Sequence, residues 1–101
     1  MKTFHDLEFN PHSIGNGLHA KMNFDNGYGV SVIKHTYSYG YEKNLWKVAI
    51  LYKGKLCYDT HITDDVLGWQ TEDDVTNVMK QVQELSSNEM VNELTKDLAL
   101  N

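Results

Sequence analysis

Leu18-His-Ala-Lys-Met-Asn-Phe-Asp-Asn-Gly-Tyr-Gly-Val-Ser-Val-Ile-Lys34 is the stretch whose reading decides the fold. Apolar and polar residues alternate on both sides of Asp25-Asn26-Gly27, the pattern of a β-hairpin with one buried face. A two-residue turn at Asn26-Gly27 would pair Phe24 with Gly29 and Met22 with Ser31. Val30 and Val32 would then lie on the face opposite Phe24 and Met22. A three-residue loop pairs Phe24 with Tyr28, Met22 with Val30 and Ala20 with Val32, and brings every apolar side chain to one face. Because a slip of one residue turns the whole strand over, the three-residue loop is the expected one. It also places Gly27 where a type I turn with a bulge needs a left-handed residue.

Outward from this hairpin, Leu45–Ile62 reads as a second one. Trp46, Val48 and Ile50 alternate on its first strand, and Leu56 and Tyr58 on its second. A three-residue loop Tyr52-Lys53-Gly54 would pair Ile50 with Leu56 and Val48 with Tyr58, turning Cys57 away from the core. The polar stretch Tyr39–Asn44 joins the two hairpins. Phe4–Phe9 has the composition of a short strand for one sheet edge, and the residues around Pro11, Gly15 and Gly17 that of a loop. Thr63–Gly68 resembles a single capped turn closed by glycine.

The C-terminal third changes period. Thr71 is a good N-cap, and Glu72, Asp73 and Asp74 in the first turn meet the positive end of the helix dipole. Val75, Val78, Met79, Val82 and Leu85 follow at helical spacing. Ser86 with Glu89 forms a second capping signal before Met90, Val91, Leu94 and Leu98, which predict a second short helix. The whole is a single α+β domain over residues 1–101. An antiparallel four- to five-stranded β-meander over about residues 3–62 carries one or two C-terminal helices, about 71–99, packed on one face.

Charge is unevenly placed. The chain carries 14 acids and nine bases, all nine of them lysine. Arginine is the usual reader of phosphates and guanine edges, so an acidic chain without it argues against nucleic acid as partner. Between Leu56 and Met79 there are six acids and no base, against a net charge of −5 for the whole chain. The plain reading of such a run is a solvated face. The functional one is a surface for a basic partner, with Trp69 as its apolar anchor. Trp69 directly precedes the helix cap, so it also suits a core position against the first turn. Asp59, Asp64, Asp65, Trp69, Glu72, Asp73 and Asp74 are the candidates for that surface.

A second candidate surface is the alternating row Ile33, His35, Tyr37, Tyr39 and Tyr41. Its Tyr37, Tyr39 and Tyr41 leave the strand on the non-core face, and tyrosine is enriched at interfaces. Packing of Phe4, Leu7 and Phe9 over that row is the structural alternative. No apolar run has the ~20 residues of a spanning helix, and the N-terminus lacks the ~7–15-residue apolar stretch of a secretory signal. With a single cysteine, these features fit a reducing compartment and no membrane partner.

Motifs for catalysis are weak. The run Leu-Cys57-Tyr-Asp supplies an acid where a reactive thiol needs a cation. None of His5, His12, His19, His35 and His61 forms a close ligand pair. His61 with Asp59, Asp64 and Asp65 is the one combination suited to a metal-dependent enzyme, yet it lacks the spaced ligand series of a hard-metal loop. No phosphate-cradling loop or nucleophile elbow is present. No cofactor, metal ligand or catalytic residue is therefore assigned.

Several stretches taken together resemble a family of small uncharacterised proteins encoded by tailed bacteriophages. They are Thr3–Phe9, Asn26–Val32, Leu56–Thr60 with Ile62–Val66, Gly68-Trp69 and Thr71–Val75, and the resemblance spans about residues 3–82. It implies a bacterial host cytoplasm and brings no catalytic residues with it. The expectation is a non-enzymatic acidic protein that binds a host or phage protein, as an inhibitor whose acidic surface can imitate nucleic-acid phosphates. The alternatives are a virion or assembly component acting through self-association, for instance as a homodimer, and the metal-dependent enzyme around His61.

Overall fold

A computed structural model describes residues 1–11, 17–34 and 45–86. It shows an α+β fold, a six-stranded antiparallel sheet with one helix, α1 (Glu72–Gln83), across one face. The strands are β1 (Asn10–Pro11), β2 (Leu18–Asn23), β3 (Tyr28–Lys34), β4 (Trp46–Tyr52), β5 (Lys55–Leu56) and β6 (Leu67–Gln70). Neighbours run in chain order from β1 to β5, and β6 returns to pair with β4 beside β5.

The first hairpin has the expected register. Met22 faces Val30 and Ala20 faces Val32, and Phe24 N–H donates to the Tyr28 carbonyl at 2.7 Å across the three-residue loop. Gly27 takes φ +87° there. This register gathers Ala20, Val30 and Val32 with Trp46, Val48 and Ile50 of β4 on one face, where Val75, Val78, Met79 and Val82 of α1 close over them. Val30, Val32, Val48, Val75, Met79 and Val82 are fully buried.

The second hairpin differs by one residue. Leu51 faces Leu56 and Tyr52 faces Lys55, leaving a two-residue loop. Lys53 and Gly54 adopt φ +52° and +80°, the left-handed pair that matches the strand twist. Cys57 N–H then donates to the Ile50 carbonyl at 2.9 Å. Cys57 is therefore buried in the core rather than turned away from it, while Leu56 lies on the other face, 58% exposed. The loop is held in this register by its neighbour. Lys53 N–H donates to the Gly27 carbonyl at 2.8 Å, and the Tyr52 ring lies 4.8 Å from that of Tyr28.

The N-terminal segment is not the expected strand over 4–9. Phe4–Asp6 is one 3-10 turn, closed by a reciprocal Thr3–Asp6 capping box. That contact holds the Asp6 carboxyl below its ordinary value, chiefly through the Thr3 N–H it accepts. Phe4 and Phe9 pack on Trp46 and against the core on the helix side of the sheet. Gln83 fastens the chain start to α1, accepting from Lys2 N–H at 2.9 Å and donating to the Lys2 carbonyl at 2.8 Å. Among the described residues of this segment, Asn10 and Pro11 join the sheet edge, against His19 and Leu18. Tyr37, Tyr39, Tyr41 and the helix expected from Met90 lie outside the described residues.

Helix α1 begins as its sequence predicts. Thr71 Oγ1 accepts from Asp74 N–H at 3.1 Å, and Asp74 Oδ2 accepts from Thr71 N–H at 3.0 Å. Its far end is closed by another element. The Asn26 side-chain amide, at the tip of the first hairpin, donates to the carbonyls of Val82 and Leu85 at 2.8 and 2.9 Å. Val82 is among the terminal residues whose carbonyls a helix cannot satisfy with its own N–H groups, and Leu85 follows the helix cap. Asn26 Oδ1 accepts from Tyr28 N–H at 3.1 Å, so one side chain ties hairpin to helix. No helix among the described residues is long and apolar enough to cross a membrane.

Candidate functional site

The acidic segment runs along one edge of β4. It leaves β5, crosses as residues 57–66, re-enters the sheet as β6 and ends in the first turn of α1. The 63–68 stretch is thus not the expected isolated turn, since its end belongs to a strand. Within the crossover, Asp65 N–H donates to Thr63 Oγ1 at 3.1 Å, and Asp65 Oδ1 accepts from Val66 N–H at 2.7 Å. These bonds fix the entry to β6. Trp46 faces Gln70 and Val48 faces Leu67, so two residues, Gly68 and Trp69, stand opposite Lys47 alone. This is a β-bulge.

Trp69 occupies that bulge at φ +60°, a region that large side chains rarely enter. Its side chain is 56% exposed, so it is not the core residue against the helix cap. The bulge also blunts the sheet edge. The Gln70 side-chain amide donates to the Gly68 carbonyl at 2.9 Å within the bulge.

Along the acidic segment, Asp59, Asp64, Asp65, Glu72 and Asp73 are exposed. Asp74 is half-buried and its carboxylate serves the Thr71 cap, which makes it a structural acid. Leu56 and Tyr58 add exposed apolar area on the same edge of β4, at 58% and 44%. Of the sequence candidates, Asp64, Asp65, Trp69, Glu72 and Asp73 are exposed along the crossover end, β6 and the first turn of α1, Asp59 lies at the other end of the crossover, and Tyr37, Tyr39 and Tyr41 lie outside the described residues. His61 is exposed. Among the described residues no group of three or more His, Cys, Asp or Glu side chains is placed to hold a metal ion.

Two hollows open on the described surface. One of about 460 Å³ lies between the chain start and the end of β2, lined by Lys2, Asp6, Met22, Phe24 and Asp25 among others. Its charges are mixed. The other, of about 350 Å³, lies where the crossover meets the end of α1, with Asp59, His61, Glu84 and Leu85 around Tyr28. Tyr28 is only 6% exposed. Burial raises its phenol above the ordinary value, with smaller contributions from Cys57, Tyr52 and Asp59, so it remains a neutral O–H at physiological pH. Neither Tyr28 nor Glu84 stands out in the sequence. Tyr28 reads there as a core position, and Glu84 reaches the crossover only because Asn26 ties the helix end to the hairpin.

No protein-family model, curated protein or solved structure matches the chain. The function therefore has to be argued from this geometry.

Proposed function

We propose that the protein is a non-enzymatic binding protein that docks on a basic protein surface. Trp69 is the apolar anchor and Asp64, Asp65, Glu72 and Asp73 form its charged rim. The observation that carries this reading is Trp69 itself. A tryptophan held at φ +60° in an edge bulge and left 56% exposed occupies a conformation costing about 1–3 kcal/mol while burying less than half of its surface. Exposed tryptophan ringed by polar groups is the usual composition of an interface hot spot. The segment from Leu56 to Met79 holds six acids and no base. Lys47 is the base opposite the bulge, and the acidic excess favours a partner of the opposite sign.

The partner in this reading is a host or phage protein in an infected bacterium, and the binding is inhibitory. The phage setting is supported by the sequence resemblance alone. The surface is supported by its chemistry.

The test is capture from bacterial lysate on the immobilised protein at low and high salt. The reading expects one stoichiometric protein, released as salt screens the acidic rim and weakly held by Trp69→Ala. Retention of nothing at low salt would overturn it, as would a partner indifferent to both salt and Trp69.

A further inference from the structure

The hollow at the end of α1 carries more than its two carboxylates. The Tyr28 hydroxyl makes no hydrogen bond among the described residues, although its ring is packed on Tyr52 and its residue is 94% enclosed, being 6% exposed. Among those residues no fully enclosed side-chain oxygen or nitrogen lacks a partner. The hydroxyl is therefore reached by solvent, and the hollow that Tyr28 lines is the space it opens into. Tyr28, with no hydrogen-bond partner for its hydroxyl among the described residues, lines this cavity together with Asp59, His61 and Glu84, so a phenol oxygen and two carboxylates are available there as acceptors for an incoming donor. At about 350 Å³ the cavity lies at the small end of ligand sites, which run from about 300 to 1,000 Å³. That suits one long side chain rather than a nucleotide, which the two carboxylates would also repel.

We propose that this cavity is a specificity pocket for an arginine side chain of the basic partner. The guanidinium would lie between Asp59 and Glu84 and donate to the Tyr28 hydroxyl oxygen. Arginine fits better than lysine because its planar group presents five donors in a fixed fork, enough to serve two carboxylates and a phenol at once. Leu85 supplies an apolar wall for the methylene stem. The inference rests on the partner being basic but not on Trp69, which lies at the other end of the crossover. It adds a pocket reading one side chain to a surface that attracts charge in general.

The probe is N-acetyl-arginine amide, titrated into the full chain and followed by backbone amide NMR. N-acetyl-citrulline amide, its neutral isostere, is the control. The expected result is saturable shifts at Tyr28, Asp59–His61 and Glu84–Ser86, with citrulline at least about tenfold weaker, as loss of charge-assisted hydrogen bonds implies. The double variant Asp59→Asn/Glu84→Gln should abolish the shifts. Tyr28→Phe keeps the packed ring and should weaken them several-fold. Equal binding of citrulline would overturn the inference, as would shifts centred on Asp64, Asp65, Glu72 and Asp73 that ignore all three substitutions. The two readings fail separately. Lysate capture that depends on Trp69 with no arginine site removes only the pocket, and a saturable arginine site without any captured protein removes only the docking surface.

Discussion

Asn26 and Trp69 both stand at irregular points of the sheet, one at a hairpin tip and the other in an edge bulge, and they are used in opposite ways. Asn26 turns every polar atom of its side chain inward, donating to Val82 and Leu85 and accepting from Tyr28. Trp69 takes a left-handed backbone and leaves most of its indole outside. Irregularity that returns hydrogen bonds is explained by stability. Irregularity that returns little burial is what the proposed docking surface accounts for. The core end of the molecule shows the first kind and the acidic edge the second.

Substitutions can break or sharpen that contrast. The largest loss is expected from the core that Asn26 holds shut. Met79→Ala empties a fully buried position and should cost about 2–5 kcal/mol in urea unfolding. Asn26→Ala removes the side-chain donor to the Val82 and Leu85 carbonyls and should cost about 1–3 kcal/mol, with faster amide exchange in the last turn of α1. Thr71→Ala removes the cap at the other helix end and should cost about 1 kcal/mol. Trp69→Gly exchanges the indole's partial burial for a residue at ease with positive φ, so stability should change by less than about 1 kcal/mol in either direction. Asp64→Asn with Asp65→Asn should be smallest in unfolding, within about 0.5 kcal/mol, yet should flatten the salt dependence of partner capture. A Trp69→Gly variant as unstable as Asn26→Ala would erase the contrast.

Most of the core side of this contrast is legible in the sequence, because patterning there is regular. The Met22, Val30 and Val32 alternation admits one register around Gly27, and Thr71 with its following acids marks the start of α1. The second hairpin is harder. A three-residue loop would put Leu56 and Tyr58 on the apolar face, and nothing in Tyr52-Lys53-Gly54 announces that a lysine will take a left-handed conformation. The contact deciding it, Lys53 with Gly27, is between two loops far apart in the chain. Strand β6 escapes for a related reason. Its bulge at Gly68-Trp69 breaks the alternation by which a strand is recognised, and the same bulge turns Trp69 outward. The acidic candidates are visible as a run without a base, whereas Asp74 is drawn out of that set by the cap it completes. The Tyr28 pocket has no local signature. It exists because a hairpin tip, a crossover and a helix end converge.

The central claim is that the Trp69 edge exists for a partner. It is tested most directly by comparing lysate protein retained at low salt by the wild-type chain and by folded Trp69→Gly, at matched loading. The account predicts one stoichiometric partner on the wild type and at least about tenfold less on the variant, the loss expected of a hot-spot residue. Equal retention by the two chains would contradict it.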